Sequence, residues 1–343
     1  MRPGYEHYDP DGVGADNGNF LGLPRVDDPA VTFLACGYDA TVSYTAGTAG
    51  GPANVLAAST QLDVCVHGVG RPWELGFAWR EVCPVGADEL ARLRTGAERV
   101  IAALEAGCEL SDDALAATAA LDDAGARIAD AVAAAVREEL AQGRFPILVG
   151  GEHGVSLGAF RACAGYGPFG ILQVDAHMDL RVAYEGFRYS HASVMHNALE
   201  LPAVTHLAQV GIRDYSPGEL LRAETDARVE TFFDHNLQAA RLHGVAFAKT
   251  AEAIVATLPQ RVWVSFDIDG LAPAYCQHTG TPVPGGLGFA EAQYLLQTLA
   301  ASGREVVGMD IVEVAPAPHE YEGAVAARLA YDFAARVVSA RRA

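Results

Sequence analysis

Residues 169–179 read Phe169-Gly170-Ile171-Leu172-Gln173-Val174-Asp175-Ala176-His177-Met178-Asp179. The first six have the look of a buried strand. Where that strand ends, two carboxylates and an imidazole crowd into five residues. Side chains alternate along extended backbone, so Asp175, His177 and Asp179 are expected to share one side. Hard and borderline ligands at alternate positions form a chelate for a metal ion. In open α/β sheets, ligands gather beyond the carboxyl ends of the strands. If the sheet is of that kind, this stretch marks the end of it that does chemistry. A polar strand end simply facing water is the competing reading. It is disfavoured because similar clusters recur along the chain.

Working outward, apolar strands alternate with helical segments. Strands are expected at 31–36, 145–149, 170–174, 205–211, 261–266 and 306–311. Helices are expected at 155–164, 191–199, 217–225, 289–301 and 323–340. A Gly-rich loop follows the first strand, then a helix over 53–59. Two long segments, 86–109 and 111–142, are dense in Ala, Leu, Glu and Arg at helical spacing, with Ser111 as an N-cap. Such alternation implies an α/β fold whose mostly parallel sheet is covered by helices on both faces. Residues 1–30 read as an irregular N-terminal arm, and 31–343 as a single domain.

Composition narrows the function. Half of the 343 residues are hydrophobic, enough for one large core. The net charge of −19 argues against nucleic acid and suits a small cationic partner. No apolar run reaches 18 residues and no signal core opens the chain, so neither membrane nor export is expected. The six scattered cysteines contain no C-x-x-C pair and read as reduced thiols of a cytoplasmic protein.

Other strand ends carry matching chemistry. Gly150-Gly151-Glu152-His153 follows the strand at 145–149, and Asp267-Ile268-Asp269 the strand at 261–266. With Asp175, His177 and Asp179, they supply two imidazoles and four carboxylates. That is more than one tetrahedral zinc takes, and it suits a pair of divalent ions, Mn²⁺ before Zn²⁺. Two such ions about 3.5–4 Å apart lower the pKa of water enough to supply a hydroxide near neutral pH. Glu313 lies among apolar residues after the last strand, where an unpaired carboxylate is costly, so a cation is expected beside it. His191, behind Ser190 as N-cap, is a candidate for proton transfer. His196, His206, His235, His243 and His319 are assigned to structure or surface.

Together these motifs resemble the ureohydrolase family of arginase, agmatinase, guanidinobutyrase and formiminoglutamase. The signatures are Gly150–His153, Asp175–Asp179 and Ser265–Asp269, with Thr279-Gly280-Thr281-Pro282 and Glu313 in support. The resemblance implies a three-layer α/β/α arginase-like fold, two Mn²⁺ per subunit (Ni²⁺, Co²⁺ or Zn²⁺ as alternatives) and a homo-oligomer, trimer or hexamer. One ion would be held by His153, Asp175, Asp179 and Asp267, the other by His177, Asp175, Asp267 and Asp269. Asp179 would also orient the hydroxide, Glu313 would pair with the guanidinium, and His191 would pass a proton to the departing amine. The products would be urea and an amine.

The chain also departs from the pattern. Ala272 stands before Pro273 where the family often has Asp, Glu152 replaces a usual Asp, and Cys276-Gln277-His278 replaces a small Pro-containing segment. Loss of an outer-shell carboxylate can cost about 10–100-fold in metal affinity or activity. The 180–190 loop resembles agmatinases more than arginases, favouring an agmatine-like substrate. Arg181 or Arg188 offers the alternative of a guanidino acid, and His278 is a further candidate for substrate contact. Arginase, guanidinobutyrase and formiminoglutamase activities remain alternatives. A one-zinc deacetylase is disfavoured by the full ligand set. A catalytically silent binding or regulatory homologue is disfavoured by the retained ligands, His191 and Glu313.

Overall fold

The computed structural model describes residues 2–316 and 320–342, so His319 lies outside the described residues. Eight strands form one sheet: β1 Val31–Cys36, β2 Phe77–Glu81, β3 Phe145–Gly150, β4 Phe169–Val174, β5 Val204–Ile212, β6 Val229–Phe233, β7 Arg261–Asp267 and β8 Glu305–Val312. Their order is β2-β1-β3-β8-β7-β4-β5-β6, and every recorded pairing is parallel. The sheet is thus parallel throughout, rather than mostly so.

Both faces are covered, which explains why the inner strands carry apolar residues at consecutive positions. On one face α1 (Gly51–Ser59), α8 (Phe247–Thr257), α9 (Phe289–Ala301) and α10 (Tyr321–Arg342) bury Val55, Ile254, Leu295 and Phe333 against Phe33, Ile147 and Val264. On the other, α2 (Ala87–Glu105), α3 (Asp112–Ala141), α4 (Leu157–Ala164) and α5 (Val194–Leu199) bury Val100, Val132, Phe160 and Met195 against Leu34, Leu148 and Trp263. Adjacent residues such as Phe33 and Leu34 therefore serve opposite cores. The result is a three-layer α/β/α arrangement.

The expected strands and helices are present, with ends displaced by a few residues. The sequence reading missed the two edge strands, β2 and β6. Each is only partly buried and mixes charge with aromatics, as in Phe77-Ala78-Trp79-Arg80-Glu81. It also missed α7 (Asp234–Leu242) and α8, which follow β6. Among the described residues 2–30 the chain is irregular apart from a 3-10 turn at Phe20–Gly22. Tyr5, Phe20, Leu21 and Leu23 are nonetheless buried in the first core, where Phe20 stacks on Phe33.

The strand order decides where chemistry can occur. β3, β8, β7 and β4 lie side by side and point the same way. Their carboxyl ends carry His153, Glu313, Asp267 and Asp175 into one neighbourhood.

Candidate metal centre

The first three motifs converge on His153 at the end of β3. Its Nδ1 lies 3.1 Å from Asp175 Oδ2, 2.9 Å from Asp179 Oδ2 and 3.5 Å from Asp267 Oδ2. His177 Nδ1 lies 3.1 Å from Asp269 Oδ2 and 3.6 Å from Asp175 Oδ1. Two potential ion sites result, His153-Asp175-Asp267 and Asp175-His177-Asp269, with ligand atoms in each lying within 4.8 Å of one another. Asp175 belongs to both.

The convergence is reached differently from the expected extended geometry. Asp179 takes a left-handed backbone conformation, φ 55°, which turns it back towards His153. Ile268–Gly270 forms a 3-10 turn capped by Asp267, whose Oδ1 accepts from Asp269 N at 2.9 Å. Gly270 allows that turn to approach β4: a Cβ there would stand 2.7 Å from Asp175 N.

A recurring pattern aims the carboxylates. Asp175 Oδ1 accepts from His177 N, Asp269 Oδ1 from Ala176 N, and Glu313 Oε1 from His153 N. One oxygen is held by a backbone amide in each case; Asp269 and Glu313 keep the other for the site, whereas both oxygens of Asp175 border it. Glu313 has φ 60°, and its Oε2 borders Gly280, where a Cβ would come within 3.3 Å. His153 is aligned from behind. Its Nε2 contacts Ser265 Oγ at 2.9 Å, while Ser265 Oγ and Trp263 Nε1 donate to Asp310 at 2.9 and 2.6 Å. Ser265 gives its proton to Asp310, so its lone pairs receive Nε2–H, and His153 Nδ1 is the ring atom turned towards the carboxylates.

The electrostatics call for cations. Burial pushes the Asp179 carboxyl up to about 7, with the Asp175 charge adding to the shift. Burial, followed by Asp269 and Asp175, pushes Asp267 well above the carboxylate range. Glu313 is raised in the same direction, chiefly by burial. His153 Nδ1 is buried and makes no well-aligned hydrogen bond, although oxygens of Asp179 and Asp175 stand 2.9 and 3.1 Å away. Against the lowering by burial, Asp175 and Asp179 raise the His153 imidazole, and Asp269 and Asp175 the His177 imidazole, well above the ordinary range. Buried carboxylates and imidazoles crowded this closely fit two divalent ions, whose charge would reverse those shifts.

Above the cluster is a cleft of about 150 Å³, lined among others by Ser43, His177, Asp179, Arg181, Tyr184, His191, Asp214, Tyr215, Glu219 and Thr281. That is about five water molecules' share of liquid volume, room for a small ligand. A wider groove of about 620 Å³ between α8 and α9 holds none of the candidate ligands. His191 faces the cleft, with its ring edge-to-face on Tyr184 at 5.9 Å. Burial, then His177 and His153, pull its imidazole down to about 3.

The structure does not gather every candidate. Arg181 lines the cleft, but its guanidinium stacks on Tyr184 at 4.6 Å and lies 3.5 Å from Glu219. Arg188 is absent from the lining and sits over Tyr189. His278 is also absent from it: its ring Nδ1 and backbone N both meet Glu322 Oε1 at 2.8 Å. Sequence reasoning missed Asp214 and Arg213. The Arg213 guanidinium bonds the carbonyls of Gly211, Asp269, Leu271 and Val283, tying β5 to the Asp267–Asp269 turn. The available signal was Gly211-Ile212-Arg213-Asp214, polar residues directly after a strand.

The chain is similar to known proteins over most of its length. The model of the family described as "Arginase family" matches residues 29–338. N(1)-aminopropylagmatine ureohydrolase of Thermus thermophilus is 30% identical over 309 residues, covering 89% of this chain and 89% of the relative. Guanidinopropionase of Pseudomonas aeruginosa is 37% identical over 196 residues, 55% of this chain and 59% of that protein. The crystal structure of agmatine ureohydrolase of Thermoplasma volcanium aligns with a TM-score of 0.69 at 25% identity, covering 92% of each chain.

Proposed function

This chain belongs to the arginase family, and from its cleft we propose that it hydrolyses a small guanidino compound with a cationic tail, agmatine or a close relative, to urea and an amine. Its named relatives are hydrolases that cleave guanidino C–N bonds. One observation carries the preference for a cationic tail. Among the described cleft-lining residues the only arginine or lysine is Arg181, which is already engaged by Glu219 and Tyr184. Asp214 in the same lining is largely exposed, and its recorded ion-pair neighbour is the His177 imidazole at 4.0 Å. A cationic tail meets an available carboxylate there, whereas a carboxylate tail meets no available guanidinium.

His153, Asp175, Asp179 and Asp267 would hold one ion, and His177, Asp175, Asp267 and Asp269 the other; the oxygen-rich set favours Mn²⁺. When bound, such a pair supplies Lewis acidity and lowers the pKa of water towards neutrality. The chain's own residues do the rest. Glu313, anchored through Oε1, offers Oε2 to the guanidinium and fixes its carbon over the cluster. Asp179 orients the attacking water. His191, held neutral by burial, takes a proton during the reaction and returns it to the departing amine. A guanidinium and one water thus become urea and a protonated amine. Asp214 holds the distal end of the substrate. The six unbridged cysteines support a reducing, cytoplasmic setting, and sedimentation velocity would check the expected trimer or hexamer.

The test is urea release by the Mn²⁺-loaded protein from agmatine, arginine, guanidinobutyrate and guanidinopropionate, with formamide release from formiminoglutamate in parallel. Agmatine should be the best of these. Urea from the guanidino acids alone would overturn the tail assignment. No turnover of any compound would overturn the hydrolase reading.

A further inference from the structure

The shared carboxylate Asp175 is also held by side chains that none of the signature motifs contains. Gln173, two residues earlier on β4, is fully buried. Its Nε2 donates to Asp175 Oδ2 at 2.8 Å and to the His177 carbonyl at 3.2 Å. Its Oε1 accepts from Gln209 Nε2 on β5 at 2.7 Å. Gln209, also fully buried, gives its second amide proton to the Met178 carbonyl at 2.8 Å. Gln209 Oε1 accepts from the Thr231 hydroxyl on β6 at 3.1 Å. The spacing follows from the sheet: Gln173 pairs in register with Gln209, and Gln209 with Thr231.

We propose that this Gln173–Gln209–Thr231 ladder is a positioning device for Asp175, setting the affinity of the metal pair from as far away as the edge strand. It rests on the reading of Asp175 as a ligand shared by two ions.

The direction of every bond is forced. Asp175 and the His177 carbonyl only accept, so Gln173 must present its NH₂ to them and its oxygen to Gln209. Gln209 must answer with NH₂, which the Met178 carbonyl also demands, leaving its own oxygen for the Thr231 hydroxyl. Neither amide can flip without placing oxygen against oxygen in a buried site. Both protons of each NH₂ are engaged, so the ladder fixes the plane of the Asp175 carboxylate as well as its position. The backbone amide of His177 holds Oδ1. Together they pre-set the two oxygens that have to serve different ions.

The test uses Gln209→Met, a variant two side chains removed from the ions that touches no proposed ligand. Mn²⁺ dissociation constants are measured by competition with a chelator, bound metal is counted per chain, and thermal unfolding is followed without metal. The expected result is affinity weaker by about 10–100-fold, as for other outer-shell losses. Two ions should still bind at saturation, with urea formation then recovering. Thr231→Val, at the half-buried edge, keeps the idea testable if the first variant fails to fold; about 2–10-fold weaker binding is expected, the loss of one hydrogen bond. Wild-type affinity in a folded Gln209→Met protein would overturn the ladder, as would wild-type affinity in Thr231→Val. If the unsubstituted protein binds no Mn²⁺, the metal-pair reading itself fails, a result distinct from either.

Discussion

The floor of the cleft and its wall are built on different principles. On the floor, Asp175, Asp267, Asp269 and Glu313 each commit one oxygen to a backbone N–H. Those amides belong to the turns that end three parallel strands, β3, β7 and β4, so the sheet itself aims the candidate ligands. The wall is held by single side chains that reach across from one loop or element to another. Glu152 holds the loop after β1 by accepting from Thr41 N and Oγ at 2.9 and 2.8 Å. Asp39 closes that loop through Gly47 N at 2.8 Å, and Arg181 is held by Glu219 and Tyr184. Gly151 lets the loop dock, since a Cβ there would stand 2.1 Å from Tyr38 O. A floor set by backbone resists change, while a wall set by separate side chains can be altered one residue at a time. In the proposed function, chemistry is thus assigned to the floor and substrate choice to the wall.

Substitutions should reflect that contrast in size. Asp175→Asn reaches both ion sites at once. Metal counting should find neither ion firmly bound, and urea formation should fall by about 10³-fold or more, because metal assistance supplies several kcal/mol. Full activity in this variant would undo the distinction between floor and wall. His191→Ala should lower kcat by about 10²–10⁴-fold with both ions retained, the usual scale for a proton-transfer residue. Its imidazole is lowered to about 3, so the neutral form exists above that pH and the charged form only below it. Histidine NMR should accordingly show a neutral His191 ring from pH 8 down to pH 4. Titration near 6.5 would mean the ring is not sequestered.

Glu313→Gln should lower kcat/KM by about 10²–10³-fold, since a buried guanidinium would lose its counter-charge. Steady-state kinetics with agmatine measures this, and a change confined to kcat would contradict a binding role. Asp214→Asn sits on the wall and is solvent-exposed. It should raise KM for a cationic-tailed guanidine by only about 2–5-fold and leave kcat unchanged. An equal effect on a neutral-tailed guanidine would remove Asp214 from substrate recognition.

The same division explains what could be read from the chain. Asp175, His177, Asp179, Asp267 and Asp269 follow apolar strands within a few residues, so local pattern alone exposes them. Glu313 was legible as a carboxylate in apolar company. The conformation that unites them was not: it depends on left-handed backbone at Asp179 and Glu313 and on a 3-10 turn at Asp269, none of which apolar periodicity encodes. The wall was harder still. Arg181 was recognised as a cleft residue, but its engagement by Glu219 joins positions 38 residues apart. His278 looked free in sequence because Glu322, its partner, lies on α10. Edge strands β2 and β6 were overlooked for a related reason: half-exposed strands carry charge and lose the apolar run that marks a buried one.

Anomalous diffraction at the manganese edge, from crystals grown with Mn²⁺, would address the shared carboxylate itself. Two peaks are predicted about 3.5–4 Å apart, one beside His153 Nδ1 and one beside His177 Nδ1, with Asp175 between them. A single peak, or two peaks that Asp175 does not bridge, would contradict the proposed centre.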